Sequence, residues 1–246
     1  MFRAFRCDLH IHTCLSPCAD LDMYPTAVVE KCIAEQLDII AICDHNAMEN
    51  VPFVLKSVEG KPLTVLPGME ITSSEEVHVL ALFDNLDDLL SIQHVVYAHL
   101  HGTNREEKFG CQAIVNELDE VEGFNEKFLL GATGLPLLDI VHHIHRFDGL
   151  AIAAHIDRES FSVLGQLGFI DPEINFDAFE ISSGTGIKNA RSRYPELNHF
   201  PFVMSSDAHA IKDIGQGVTT MFLEAGTISE LKMAFEHRMG RFIQEI

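Results

Sequence analysis

The chain has 246 residues and a formal net charge of −20, which is long enough for one large domain with a substantial core. Its hydrophobic residues, 47% of the total, come in short runs far from the roughly 20 that span a bilayer; the opening MFRAFRCDLH turns polar too soon for a signal peptide. A cytoplasmic protein without a membrane partner is therefore expected, and the charge opposes long nucleic acid but not a small phosphorylated molecule, since two or three divalent ions would add about +4 to +6 inside one pocket.

The first predicted strand, FRCDLHIH, alternates so that Asp8, His10 and His12 share one face. Two imidazoles about 7 Å apart along a strand can share an ion. The loop TCLSPCAD follows, then a helix over Pro25 to Gln36 with apolar Ala27, Val28, Ile33 and Ala34 beneath it. The six cysteines are expected to be reduced in a chain of this kind, with Cys32 and Cys43 as core residues. LDIIAIC is apolar throughout, as strands of a parallel sheet covered on both faces are, and it ends in CDHN. If that strand continues, Asp44 and His45 point opposite ways, making His45 a ligand and Asp44 the group that orients it; a helix cap at Asp44 or Asn46 is the other reading.

LTVLPGMEI brings Glu70, and VHVLALF opens with His78. The polar, Glu-rich stretch 84–149 breaks the rhythm and reads as a long helical insertion, a lid candidate, with a helix over Ile140 to Phe147. Its His94, His99 and His101 read as surface, and His142, His143 and His145 as helix residues without a ligand role. GLAIAAHI closes with His155, and Arg158 lies just beyond it. FDAFEIS puts Glu180 near a strand end without a ligand role and leads to Lys188, Arg191 and Arg193; of these, Lys188 is a candidate substrate contact and the two arginines read as solvated surface. FPFVMSSDAH closes with Asp207 and His209, and VTTMFLEA is the last strand. A helix over Ile228 to Met239 ends the chain, with Thr227 and Glu230 in a capping-box pattern.

Alternating strands and helices argue for an α/β fold, barrel or doubly wound. At least five of the predicted strands carry a His, Asp or Glu at or near a terminus. In a β/α barrel such ends converge on one mouth. Burying so many imidazoles and carboxylates unpaired costs several kcal/mol each, and bound metal ions offset that cost.

In order and spacing, DLHIHT, DHN, GME, the strand His78, AAH and SDAH resemble the PHP family, named for polymerase and histidinol phosphatase. The resemblance runs along nearly the whole chain. It implies a distorted (β/α)7 barrel over 1–246 as a single domain, with an insertion at about 84–149, and a trinuclear metal cluster. Residue by residue, His10, His12, Glu70 and Asp207 would hold one ion; Glu70 would bridge to a second, held also by His78 and His155; His45 and His209 would hold a third. The family's third N-terminal ligand has no direct match. Cys18, whose thiolate would favour zinc, and Asp20 are the candidates, and a plain turn is the alternative. Zinc, manganese or iron suit such a set. The activity implied is phosphate-ester hydrolysis by a metal-activated water, with Arg158 as phosphate clamp. Three alternatives stand beside it: an exonuclease on short oligonucleotides, an inactive metal-binding regulatory module, and an amide hydrolase. The last usually needs a carbamylated lysine, and Lys56 and Lys61 precede the third strand rather than end one.

Overall fold

The computed structural model describes residues 2–244. In chain order its elements begin with β1 (Arg3–Ile11), α1 (Pro25–Ala34), β2 (Ile39–Ile42), α2 (Val51–Ser57), β3 (Thr64–Thr72), β4 (His78–Leu82) and α3 (Leu86–His99). There follow α4 (Glu106–Phe109), β5 (Ala113–Val115), β6 (Val121–Phe124), α5 (Leu137–Arg146), β7 (Leu150–Ala153) and α6 (Val163–Leu167). The last are β8 (Ala178–Ser182), α7 (Ile187–Arg193), β9 (Phe202–Ser205), β10 (Thr219–Leu223), α8 (Ile228–Phe235) and β11 (Phe242–Ile243).

Nine strands join in the order β11-β10-β1-β2-β3-β4-β7-β8-β9. A parallel bridge between Ile11 and Ala208 brings the chain beyond β9 back to β1, so seven strands, β1 through β4 and β7 through β9, nearly close into a barrel. This is the distorted (β/α)7 barrel, and the distortion has a location. β4 runs antiparallel to both β3 and β7, and β10 is antiparallel to β1, so the sheet is not parallel throughout. Reversing β4 puts its first residue, His78, at the same end as the last residues of the parallel strands.

The two faces of each barrel strand feed two cores. Ile39 and Ala41 of β2 join one apolar cluster with Leu66, Leu80, Leu82, Leu150, Ile152, Ala178 and Val203. That cluster draws on every barrel strand and on a single helix, α8, which supplies Ile228, Leu231, Ala234 and Phe235; it is the barrel interior, plugged at the end away from the strands' C-termini. Ile40 and Ile42 face the other way, into the layer under α1, α2, α3 and α5. Burial on both faces is why β2 reads as an unbroken apolar run. Gly68 is required in β3: a Cβ there would lie 2.8 Å from the Ile42 carbonyl oxygen.

The stretch expected to be a long helical insertion is helical mainly at its two ends. Contacts of α3 with β3, and of α5 with β7 and β4, make both helices part of the barrel's coat. Between them, 100–136 holds the short α4 and a two-stranded sheet of β5 and β6. The exposed face of β6 gives no apolar alternation to read. α8 stops at Phe235, short of Met239, in a turn where His237 takes a left-handed φ of 50° and the Arg238 N–H donates to the Met233 carbonyl, a Schellman-type closure. Thr227 caps this helix by accepting from the Glu230 N–H. The Glu230 carboxylate does not return the bond; it takes Arg241 and the Glu224 N–H instead.

Candidate metal centre

Glu70 sits at the centre of the mouth, 1% exposed. Five imidazoles turn on its carboxylate: His78 Nδ1 at 2.8 Å, His155 Nε2 at 3.2 Å and His10 Nε2 at 3.5 Å from Oε1, and His45 Nδ1 at 2.9 Å and His12 Nε2 at 3.4 Å from Oε2. Asp207 Oδ1 lies 3.1 Å from His12 Nε2 and 3.2 Å from His10 Nε2. The His209 ring centroid lies 4.1 Å from that of His12, the planes tilted by 31°. Three of the loop residues here hold left-handed backbone: Asn46 at φ 50°, His155 at 28° and Asp207 at 49°. Such strain in non-glycine residues gathers at functional sites, where surrounding bonds hold it in place.

The charges are unevenly shared. Burial would raise the Glu70 carboxyl, but His78, His10 and His45 outweigh it and hold it well below the usual range. For Asp207, burial likewise loses to His10 and His12, and the carboxyl is held low. His10 resists burial and is pushed up by Glu180, Asp207 and Glu70. His12 is pushed down by burial and by His209.

A second layer fixes the imidazoles. His10 Nδ1 lies 3.0 Å from Glu180 Oε2, so its Nδ1–H faces a carboxylate and Nε2 is left toward the cluster. The same Glu180 oxygen accepts from the His155 N–H at 3.0 Å. His12 Nδ1 lies 2.9 Å from Ser16 Oγ, and Ser16 donates to Asp44 Oδ1 at 2.6 Å. Asp44 therefore supports His12 through Ser16, whose Oγ also accepts from the His45 N–H at 3.2 Å, and takes the N–H and hydroxyl of Thr13; it reaches His45 through the Ser16 hydroxyl and the His45 backbone rather than at the imidazole. Sequence reading placed Glu180 near a strand end without a ligand role and gave Ser16 no role. A lone Glu inside the apolar run FDAFEIS was the available signal, since a buried carboxylate needs a partner.

Asp8 does not share the face of His10 and His12. Its oxygens accept from the N–H groups of Ser206 at 2.9 Å and Gly215 at 3.0 Å. The register of β1 shifts between Asp8 and Ile11, which breaks the alternation: Cys7 and Leu9 lie in the interior cluster and Ile11 in the outer one. Cys18 and Asp20 part as well. Cys18 is exposed at the lip, within hydrogen-bonding reach of His209 and His45. Loss of water contact pushes its thiol up, but those two imidazoles bring it down to about 7. Asp20 contributes its backbone, donating to the His209 carbonyl at 2.8 Å, and does not line the cavity. All six cysteines are free.

Next to the cluster is a cavity of about 510 Å3, lined by Cys18, His45, His78, His155, His209, Leu130, Arg158 and Phe161 among others. The Arg158 Nη1 is 2.6 Å from Asp207 Oδ2, and its Nε donates to Ser182 Oγ at 3.3 Å. Lys188 is not here; it lines a second cavity of about 300 Å3 between α7 and the β10–β11 edge, because Gly186, at φ 72°, turns the chain away after β8.

The donor set fits divalent metal. Glu70 Oε2, His78 Nδ1 and His155 Nδ1 are buried without a hydrogen-bond partner, although imidazole and carboxylate atoms stand within 3 Å of one another. They are close but not aimed at each other. In three overlapping sets, His12/His45/His209, His10/His12/Glu70 and His45/Glu70/His78, the donor atoms fall within 4.8 Å of one another. Atoms bound at about 2.0–2.3 Å to a common ion stand about that far apart.

A nearly closed barrel with such donors at its mouth defines the class: a metal-dependent hydrolase. The chain belongs to the PHP domain family, whose model matches residues 8–163, and a PHP-associated model matches residues 187–240. Among solved structures it is similar to the lesion-specific endonuclease Q of Pyrococcus furiosus, at 17% identity and a TM-score of 0.76 over 98% of this chain. A complex of endonuclease Q with a 27-mer duplex bearing an abasic lesion at the active site is similar at 16% and 0.73. The chain spans 58% of the length of these endonuclease chains. An amidohydrolase from Chromobacterium violaceum, with bound sulfate and no metal, matches at 18% identity and 0.60 over 86% of this chain and 90% of its own. No curated relative matches by sequence. Among the described residues no helix is long and apolar enough to cross a membrane.

Proposed function

We propose that the chain hydrolyses phosphate esters at this cluster, acting on a small phosphomonoester or nucleotide. His10, His12, Glu70 and Asp207 would hold one ion, Glu70 with His78 and His155 a second, and His45 and His209 with Cys18 a third. Zinc, manganese and iron all suit these donors, and a Cys18 thiolate favours zinc at the third position. When bound, such ions supply a water acidic enough to attack near neutral pH and positive charge at the phosphoryl oxygens.

The observation that carries this reading is Glu70: a fully buried carboxylate ringed by five imidazoles, with Oε2 unsatisfied, beside a cavity that Arg158 also lines. Arg158 would keep Asp207 in place through Nη1, hold Ser182 through Nε and offer its remaining N–H groups to phosphoryl oxygens. Glu180 would hold His10, and the Asp44–Ser16 pair His12, in the tautomers that leave their Nε2 atoms free.

A nucleic-acid phosphodiester is the second reading. Endonuclease Q is captured on a duplex, which weighs against excluding long nucleic acid on charge alone; the net charge of −20 supports the small substrate. Manganese-loaded protein offered p-nitrophenyl phosphate, a labelled DNA duplex and p-nitroacetanilide separates the cases. The proposal expects phosphate release from the first, lost in Glu70→Gln. Cleavage of the anilide without phosphate release contradicts it, and cleavage of the duplex alone moves the assignment to the second reading.

A further inference from the structure

Two apolar side chains in the metal cavity have no part in holding ions. Phe161 is 41% exposed, although an aromatic ring of this size gains from burial. It is fixed in place: its ring stacks on His78 with centroids 4.7 Å apart and planes 19° from parallel, its carbonyl accepts from the His78 N–H at 2.9 Å, and its backbone sits at φ 58°. The next residue, Ser162, caps α6 and donates to the Arg158 carbonyl at 2.6 Å, so the turn that carries Arg158 also presents Phe161. Leu130 comes from the 100–136 insertion and is held as firmly. The carbonyls on both sides of it, Leu129 and Gly131, accept from Asn46 Nδ2 at 2.8 and 3.0 Å, and Asn46 Oδ1 accepts from the Thr72 N–H at the end of β3.

We infer that Phe161 and Leu130 form a seat for a planar ring on the alcohol side of the substrate, so that aryl or heteroaryl phosphate esters are preferred over aliphatic ones. The inference rests on the phosphoester reading and names its substrate class. Three features argue for a ring as the occupant. The seat is continuous with Arg158 and the imidazoles in one cavity, so a group there is attached to a phosphoryl group at the metal centre. The cavity, at about 510 Å3, is far larger than a phosphate needs. And a preformed aromatic face, already held parallel to one ring, rewards a flat partner more than a flexible chain.

Calorimetric binding of phenylphosphonate and methylphosphonate to manganese-loaded protein tests this without turnover. The wild type is expected to bind phenylphosphonate about tenfold more tightly. Phe161→Ala abolishes that preference while leaving methylphosphonate affinity and bound manganese unchanged, and Phe161→Tyr retains it. Leu130→Ala, on the insertion rather than against His78, reduces the preference as well, and serves if Phe161→Ala disturbs metal content. Equal affinity of the wild type for the two phosphonates overturns the inference and leaves the phosphoester reading standing, as does a preference that survives both alanine variants. Failure of both phosphonates to bind the metal-loaded wild type overturns both readings.

Discussion

Asp44 and Glu70 are joined through their backbones, the Glu70 N–H donating to the Asp44 carbonyl at 3.0 Å, yet their carboxylates meet different surroundings. Asp44 is closed off. Its oxygens accept from the Thr13 N–H, the Thr13 hydroxyl and the Ser16 hydroxyl, and Thr13 Oγ1 in turn accepts from Asn50 and the Leu15 N–H. Glu70 has many neighbours and few bonds. One of its oxygens and two of the imidazole nitrogens around the site are buried without partners. A satisfied buried network fixes structure, whereas an unsatisfied one costs free energy until something binds it. The first carboxylate therefore belongs to folding and the second to the site.

Exchanging each carboxylate for its amide separates these roles. Glu70→Gln is expected to lower kcat/KM about a thousandfold and to abolish the metal-dependent rise in Tm, with a smaller loss of Tm in chelator than Asp44→Asn causes. Asp44→Asn should act chiefly on the fold. Whichever way its amide turns, an NH2 meets a donor, and Thr13 Oγ1 has its lone pairs occupied. The expected loss is about 3 kcal/mol of stability in urea melts, with or without metal, together with a metal affinity weakened about 10- to 100-fold through Ser16 and His12. Equal effects of the two variants on stability in chelator would collapse the distinction.

Cys18 and Asp20 extend the contrast to the lip. Cys18→Ser should weaken one metal equivalent about tenfold in a competition titration, and Asp20→Asn should change nothing. A small effect is expected far from the mouth, where Arg241 grips Glu230 with Nη2 to Oε1 at 2.7 Å and Nε to Oε2 at 3.1 Å. The bonds from Arg241 hold the Glu230 carboxyl below its usual value. A depressed acid stabilises the fold above its unfolded pKa of about 4.3, and that contribution is lost as the pH falls through the lowered value. Glu230→Gln should thus cost about 1 kcal/mol at neutral pH, and its melting curve should converge on that of the wild type in acid.

The same contrast explains how much could be read from the chain. All eight strands named from sequence are present, because most are runs buried on both faces, as β2, β4 and β7 are throughout. His10, His12, His45, His78, His155, His209, Glu70 and Asp207 meet as their positions at strand ends implied, since a barrel gathers such ends. What resisted reading depends on a break in periodicity or on a partner distant in sequence. A register shift in β1 removes Asp8 from the face of His10. Ser16 matters only because it lies between His12 and Asp44. Lys188 follows a strand as Arg158 does, but a left-handed Gly186 sends it to another cavity. The reversal of β4 leaves no mark in its composition, since a strand buried on both faces reads the same in either direction.

Metal content tests the central claim most directly. Wild-type protein and Glu70→Gln, stripped with chelator, dialysed against manganese or zinc and then against metal-free buffer, are analysed by inductively coupled plasma mass spectrometry. The account predicts at least about two equivalents per wild-type chain and fewer than about one in the variant. Wild-type protein that stays folded and retains less than about 0.2 equivalents of either metal would contradict it.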